Sequence, residues 1–202
     1  MSFAFKKLTL SLLLASAMAL PAQAAETYTL DPAHTAVQWS VDYFGFSRPS
    51  GKFMNVDGKL LLDEADPAKS SVEVSIALAG VNSGVPKLDE HLQSPDFFDS
   101  AKFPTATFKS DKVEVLGADA SSPDGGGTMA KVSGVLTLHG VSKPVVLDVR
   151  LNKIGENMFK KKTAGFTATT TIKRSDFGIV TYLPSLGDEV VIAIESEANL
   201  AS

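Results

Sequence analysis

Apolar and polar residues alternate along most of this chain with a period of two, and this pattern limits the fold more than any other feature. Val72, Val74 and Ile76, for example, alternate with Glu73 and Ser75. Successive side chains of a β-strand point to opposite faces, so each such segment predicts a strand with one buried face. The segments with this pattern are residues 37–41, 56–62, 72–78, 106–115, 132–138, 145–151, 166–172 and 190–194. They predict about eight strands.

The connections between these segments are short and have the composition of turns, as in Asp66-Pro67 and His139-Gly140. No alternation of strands with long helices is present, which argues against a parallel sheet. Consecutive strands with short turns predict an all-β fold, either a sandwich or a closed barrel. We favour an eight-stranded antiparallel β-barrel because closure leaves no free strand edge. A short helical segment is expected near residues 85–98, where Pro86 can open a helix and Pro95 can end it.

The lumen of an eight-stranded barrel can hold either packed side chains or one ligand. Gly58, Ala106, Gly134 and Ala168 fall on inward positions, and small residues there favour a cavity. Glycine within a strand also marks bulges, so Asp57-Gly58 has that second interpretation. The residues predicted to face the lumen are Val37, Trp39, Val41, Leu60, Leu62, Val74, Ile76, Phe108, Leu136, Leu138, Phe166, Ala168 and Ile192.

Several aromatic residues fall on one predicted hairpin, and Phe44, Phe46 and Phe53 are the main candidates for contact with a ligand there. In a barrel such a cluster forms either a plugged end or an apolar entrance, and the spacing leaves both open. His91 follows two acidic residues in the predicted helical segment. It is the candidate for contact with the polar head of a ligand.

The first residues have the composition of a secretory signal. Lys6 and Lys7 precede an uncharged run over residues 8–20, and Ala22-Gln23-Ala24 matches the pattern that signal peptidase cleaves. We predict a cleaved signal peptide over residues 1–24, a single mature domain over residues 25–202, and export to the periplasm. The apolar run is shorter than the about 20 residues that a spanning helix needs, so no stable membrane insertion is expected.

The charge and the cysteine content exclude several classes of function. Loss of Lys6 and Lys7 with the signal peptide moves the formal net charge from −4 to −6. An acidic domain of this kind lacks the basic surface that nucleic acids require, so no nucleic-acid partner is expected. The chain contains no cysteine, which excludes disulfides, thiol catalysis and attachment of lipid to a cysteine.

No catalytic residue, metal or cofactor is predicted. His34, His91 and His139 lie in separate segments, without the closely spaced pairs that usually bind zinc. The chain also lacks the Gly-x-Ser-x-Gly motif of a nucleophilic serine. The basic run at residues 160–162 is interpreted as an exposed hairpin turn, with attraction of an anionic head group or a membrane surface as the alternative. The segment at residues 118–127, which includes a glycine-rich insertion at residues 121–127, is interpreted as a mobile hairpin loop, with a binding lid as the alternative.

Several longer stretches are more specific than these patterns. They are residues 28–35 (YTLDPAHT), 91–99 (HLQSPDFFD), 102–108 (KFPTATF), 134–145 (GVLTLHGVSKPV), 174–178 (RSDFG) and 187–190 (GDEV). Together they resemble the YceI-like polyisoprenoid-binding family, in order and over essentially the whole predicted mature chain.

This resemblance implies a lipocalin-like barrel that is exported to the periplasm. It also implies that the lumen holds a polyisoprenoid or a similar long-chain amphiphile, which the protein sequesters or transports. A long-chain isoprenoid or fatty lipid is therefore the expected partner, and a homodimer stays open. Two alternatives are an enzyme that acts on a lipid-like substrate in the same cavity and a stress-related structural protein with a filled core.

Overall fold

The computed structural model describes residues 24–119 and 127–201. Within them, antiparallel strands form one sheet, accompanied by a single α-helix and three short 3-10 helices. The strands are β1 (Glu26–Leu30), β2 (Ala36–Tyr43), β3 (Ser50–Phe53), β4 (Val56–Leu62), β5 (Ser71–Ala77), β6 (Val81–Asn82), β7 (Thr105–Ala118), β8 (Thr128–Leu138), β9 (Val141–Glu156), β10 (Lys162–Lys173) and β11 (Leu186–Leu200). The helix α1 is Pro86–Gln93, and the 3-10 helices are Pro67–Lys69, Leu78–Gly80 and Arg174–Phe177.

Eight of these strands close a barrel. Their order is β1, β4, β5, β7, β8, β9, β10 and β11, and β11 pairs back with β1 at Leu30 and Ala198. Strand β11 pairs with β1 through its last residues and with β2 through its earlier ones, so β2, β3 and β6 extend the wall beyond the closed ring. The predicted all-β fold, an eight-stranded antiparallel barrel, is confirmed.

The predicted helical segment is also confirmed, although it is shorter than the expected range. Helix α1 begins at Pro86 and ends at Gln93, two residues before Pro95. Proline lacks the N–H that an interior helical position must donate, whereas the first turn tolerates this absence. The carboxylate of Asp89 accepts a hydrogen bond from the backbone N–H of Ser83 at 2.7 Å, which joins the helix to the end of β6.

The two glycines on inward strand positions do not create empty space. Strand β4 pairs with β5 in unbroken register across Gly58, so the suggested bulge is absent. A Cβ atom at Gly58 would lie 2.7 Å from the Cδ1 of Leu30, and one at Gly134 would lie 2.6 Å from the Cζ of Phe108. Each glycine therefore admits a large neighbouring side chain. The expectation that both add to a cavity was wrong.

Ion pairs reinforce the end of the barrel opposite α1, where β1, β10 and the β4–β5 connection meet. The ammonium group of Lys162 lies 2.5 Å from Glu26 and 2.6 Å from Glu64. The hydrogen bond from Lys162 lowers the pKa of Glu26 below its usual value. The basic run was interpreted as an exposed turn, and this holds for Lys160 and Lys161 but not for Lys162, which belongs to β10.

Two sequence interpretations concern residues largely outside the described ranges. They are the signal peptide over residues 1–24 and the loop over residues 121–127. Strands β7 and β8 flank the second segment, as a hairpin connection requires. Among the described residues, no helix is both long enough and apolar enough to cross a bilayer.

Candidate functional site

The barrel encloses an apolar cavity that consists of two chambers. The helix-side chamber lies next to α1 and has a volume of about 690 Å³. The far chamber lies towards the end opposite α1 and has a volume of about 360 Å³. Val37, Ile76, Leu136 and Ile192 line both chambers, so these four aliphatic side chains lie between the chambers, and we call them the waist. The lumen therefore runs along much of the barrel.

All of the residues predicted to face the lumen line this cavity. The alternation of each strand explains this result, because inward side chains recur at every second position. The predicted residues that line only the helix-side chamber are Trp39, Val41 and Leu138. Those that line only the far chamber are Leu60, Leu62, Val74, Phe108, Phe166 and Ala168. Their contact with a ligand stays a prediction.

Helix α1 and the turn after it cover the helix-side chamber. Leu88, His91 and Leu92 of the helix line the chamber, together with Phe97 and Phe98 of the turn. The α-helical spacing of Leu88 and Leu92 places both side chains on the same face. Most of these side chains are apolar, so the chamber has an apolar lining even where it reaches the end of the barrel.

The three phenylalanines predicted at an entrance differ in position. Phe44 lines the helix-side chamber and is half exposed, as an entrance residue should be. Phe53 is buried in the wall because it belongs to β3, and its ring contacts that of Phe98 with centroids 5.6 Å apart. Phe46 is 89% exposed and does not line either chamber. Phe44 and Phe53 therefore line the helix-side chamber, and contact of any of the three with a ligand stays a prediction.

Arg174 was missed as a site residue in the sequence, although it lies in one of the stretches quoted for the family resemblance. Its side chain is buried and lines the helix-side chamber. The guanidinium donates four hydrogen bonds to backbone carbonyls, and no ion pair joins it to a carboxylate in the described residues. The acceptors are Gly187 (2.7 Å), Ile179 (3.1 Å), Thr181 (2.9 Å) and Leu186 (2.9 Å). Ile179 and Thr181 lie in the loop between β10 and β11, and Leu186 and Gly187 are the first two residues of β11, so Arg174 fixes this loop against the start of β11.

Asp188 supports this arrangement. It accepts hydrogen bonds from the backbone N–H of Ser175 at 2.9 Å and from the Ser175 hydroxyl at 2.8 Å. Burial alone would raise the pKa of Asp188, but the bonds from Ser175 and the charge of Arg174 outweigh it, and the pKa lies below its usual value. Burial lowers the pKa of Arg174, which the charge of Asp188 opposes. An arginine with these partners stays charged.

Comparison with known proteins identifies the family. Residues 28–198 match the family described as the YceI-like domain. The chain belongs to this family. It is 36% identical over 195 residues to protein YceI of Escherichia coli, which covers 95% of this chain and 97% of the relative.

Solved structures of YceI-like proteins share the fold. The Campylobacter jejuni YceI protein is 33% identical and superposes with a TM-score of 0.66, covering 78% of this chain and 88% of that protein. A polyisoprenoid-binding domain from Saccharophagus degradans superposes with a TM-score of 0.65 at 16% identity, covering 86% of this chain and 98% of that domain. The second likeness concerns the fold alone.

The histidines of this YceI-like barrel lie at separate places. The Nε2 of His91 donates to Asp96 at 3.1 Å, and the Nδ1 of His139 donates to the carbonyl of Phe177 at 3.0 Å. Of the three, His91 alone lines a chamber. Its partly exposed ring can therefore reach a polar group at the end of the cavity.

His34 lies in an exposed cluster that the sequence spacing did not predict. The side-chain ligand atoms of Asp31, His34 and Glu197 all lie within 4.8 Å of one another. Exposed groups of this kind also occur without an ion, and the prediction that the protein binds no metal stays as made. Elemental analysis of the purified protein tests it, and one stoichiometric metal ion per chain would contradict it.

His34 should titrate above its usual range. The hydrogen bond to Asp31, aided by the negative charge of Glu197, raises the pKa of His34 above 6.5. The pKa of His34 is higher in the folded protein than in the unfolded chain. Its contribution to the free energy of unfolding is therefore present below about pH 6.5 and is lost as the pH rises through the folded pKa. NMR titration of the imidazole should give a midpoint above 6.5, and Asp31→Asn should bring it down. An identical midpoint in both proteins would contradict this assignment.

Proposed function

We propose that the protein binds a polyisoprenoid or a similar long-chain amphiphilic lipid in the barrel lumen and sequesters or transports it. The observation that carries this proposal is the pair of adjacent apolar chambers, which lie on either side of the waist of Val37, Ile76, Leu136 and Ile192. A long flexible tail suits this pair of chambers because it occupies both of them when the waist side chains move apart. A compact apolar molecule would use only one of them.

The size of the cavity suffices for firm binding without covalent chemistry. Burial of one CH2 group contributes roughly 0.8 kcal/mol, so about 12 groups of a tail contribute on the order of 10 kcal/mol. The loss of translational and rotational freedom and the ordering of the tail offset part of this gain.

The relatives support the choice of ligand class. The Saccharophagus degradans structure with the same fold is described as a polyisoprenoid-binding domain. In our protein the polar residues at the helix end of the cavity, His91 and Arg174, are suitable contacts for a head group. Arg174 already donates to four carbonyls, so His91 is the more accessible of the two. The tail would then point towards the far chamber.

The alternatives have less support. A filled core does not fit chambers of about 690 and 360 Å³, which are lined mainly by aliphatic and aromatic side chains. An enzyme acting on a lipid would need a reactive group inside the cavity. The pair of His91 and Asp96 is the best candidate for such a group. The side chain of Asp96 is 58% exposed, and this exposure suits contact with a lipid head group better than the role of a buried general base.

Native mass spectrometry tests the proposed function. Protein purified without detergent should carry an additional mass that is released on denaturation and extracts into organic solvent, with the mass of an isoprenoid or another long-chain lipid. A bare mass from freshly prepared protein that also fails to take up an added isoprenoid alcohol would contradict the proposal. The time-dependent appearance of a chemically altered lipid would instead favour the enzyme.

We also propose that the protein acts in the periplasm after removal of residues 1–24. The proposal rests on the basic, apolar and small-residue pattern of this segment. N-terminal sequencing of protein released by osmotic shock should begin at Ala25. Retention of Met1, or recovery only with the inner membrane, would contradict this location and remove the basis for transport between membranes.

A further inference from the structure

Apolar side chains surround the helix end of the barrel and point into solvent. They come from the β2–β3 hairpin, from the loop before β11 and from the residue before α1. The most exposed are Phe46 (89%), Val180 (56%), Tyr182 (55%) and Val85 (54%). We call these four residues, together with Phe44, the rim. Several large apolar side chains exposed around one opening usually mark an interaction site.

Contacts between the three segments hold the rim together. The backbone N–H of Phe44 donates to the carbonyl of Ser185 at 3.1 Å, which joins the hairpin to the loop. The ring of Tyr182 lies 6.2 Å from that of His91, which joins the loop to α1. Arg174 fixes the same loop from inside through its bonds to Ile179, Thr181 and Leu186. These contacts fix the three segments relative to one another, so the rim is an ordered surface of the barrel.

Two rim residues connect the outside with the lumen. Phe44 and Tyr182 are each about half exposed, and both also line the helix-side chamber. Both have left-handed backbone conformations, with φ of 55° and 63°, which bulky side chains rarely adopt. Such conformations persist only where the surrounding structure imposes them, and they concentrate at functional sites. Apolar surface thus continues from the rim into the cavity.

Two basic residues lie in the segments that form the rim, where the exposed carboxylates of Glu90 and Asp96 also lie. Arg48 follows Phe46 by two residues, and Lys87 follows Val85 by two residues. Both side chains are exposed, and neither forms an ion pair with any residue that the structure describes. Aromatic and aliphatic groups flanked by unpaired cations suit the boundary between acyl chains and anionic phosphate groups.

We propose that the rim docks on a phospholipid bilayer, with Phe46 inserted among the acyl chains and with Arg48 and Lys87 next to lipid phosphates. The direction of lipid transfer rests on the proposed function: a tail passes between Phe44 and Tyr182 into the helix-side chamber without crossing water. The overall acidic charge of the protein does not favour adsorption on anionic lipid. Insertion of apolar groups is therefore the main attraction, and docking is reversible.

The opposite end of the barrel offers a matched control. Phe159 lies in the β9–β10 turn, is 70% exposed and does not line either chamber. Strand β10 runs from this turn to Arg174, so Phe159 and the rim lie at opposite ends. Substitutions at Phe46 and Phe159 therefore remove the same side chain from two different hairpin tips.

Co-sedimentation with vesicles of phosphatidylcholine and phosphatidylglycerol tests the docking surface. Phe46→Ser should lower the partition coefficient at least about tenfold, as expected when one inserted aromatic side chain is lost. Phe159→Ser should bind like the parent protein. Equal loss in both variants, or loss only with Phe159→Ser, would overturn the proposal.

Fluorescence gives a second readout, which reports whether residue 46 lies among the acyl chains of the bound protein. The chain has a single tryptophan, Trp39, whose contribution can be subtracted. In Phe46→Trp the added indole should be quenched by vesicles with brominated acyl chains, whereas in Phe159→Trp it should not. Absence of quenching in Phe46→Trp would overturn the insertion of residue 46.

Two further measurements separate bilayer docking from dimerisation through the rim and from lipid binding in the lumen. A dimer in solution that dissociates in Phe46→Ser and does not bind vesicles would show that a second copy covers the rim, which would overturn bilayer docking. Native mass spectrometry of the parent protein reports the lumenal lipid independently of vesicles. Lipid retention without docking would overturn only this inference, while docking without lumenal lipid would overturn only the proposed function.

Discussion

Replacement of Arg174 by methionine is expected to lower the free energy of unfolding by at least about 3 kcal/mol. Methionine preserves much of the apolar volume but donates no hydrogen bond. Four backbone carbonyls, two in the β10–β11 loop and two at the start of β11, would lose this donor, including those of the buried residues Ile179 and Leu186. An unsatisfied buried polar group costs about 1–3 kcal/mol, so even partial access of water to these carbonyls leaves a large effect.

Urea denaturation measures this loss, and Arg48→Met is the matched control. Arg48 is exposed and has no ion pair among the described residues, so its substitution should change the free energy of unfolding by less than about 0.5 kcal/mol. Arg174→Lys should also destabilise the protein, because one ammonium group cannot reach four carbonyls that the planar guanidinium bridges. Stability of Arg174→Met within about 0.5 kcal/mol of the parent would contradict this role.

The barrel and its lumen were predictable because the alternation of apolar and polar residues is a local property of each strand. The alternation around Val74 and Ile76 reports which face of β5 is buried, whatever the partner strand. The same holds for Leu136 on β8 and Ala168 on β10, which line the cavity as predicted. The limits of α1 were close to the prediction because Pro86 and Pro95 act on their own backbone.

The role of Arg174 could not be predicted in the same way. Its acceptors are main-chain carbonyls, and these have no side-chain signature in the sequence. The stretches at residues 174–178 and 187–190 were recognised separately, but nothing local indicates that Ser175 and Asp188 bond to each other. Contacts across a loop become visible only when the strands on both sides are placed.

The volume of the cavity could not be predicted from the sequence either. Gly58 and Gly134 were counted as empty positions, yet Leu30 and Phe108 occupy the space they leave. Whether a small residue leaves a void depends on the size and rotamer of its neighbour on another strand. Composition therefore indicated an apolar interior without indicating how much of it is open or that it divides into two chambers.

The largest effect on ligand binding is expected from Ala106→Trp, with Ala168→Trp as its counterpart in the other chamber. Both alanines are buried, and they line the helix-side chamber and the far chamber, respectively. An indole that enters either chamber displaces about five methylene groups of a tail. At roughly 0.8 kcal/mol for each group, affinity falls about a thousandfold.

The two variants should differ in the lengths of lipid that they still bind. Ala106→Trp obstructs the helix-side chamber, so it should weaken binding of long and short lipids alike. Ala168→Trp fills only the far chamber, so it should reject a long isoprenoid while retaining a short one that fits the helix-side chamber. Displacement of a fluorescent fatty-acid probe by isoprenoid alcohols of graded length measures both effects.

Thermal stability decides whether the tryptophan occupies empty space or overfills a packed core. In an open chamber the added ring gains contacts, so the melting temperature of delipidated Ala168→Trp should hold or rise, whereas overpacking would cost about 1–3 kcal/mol. Thr169→Trp is the control, because the next residue of β10 is exposed and points away from the lumen. It should bind lipid like the parent. A destabilised Ala168→Trp that still binds long isoprenoids with parental affinity would show that the lipid does not reach the far chamber.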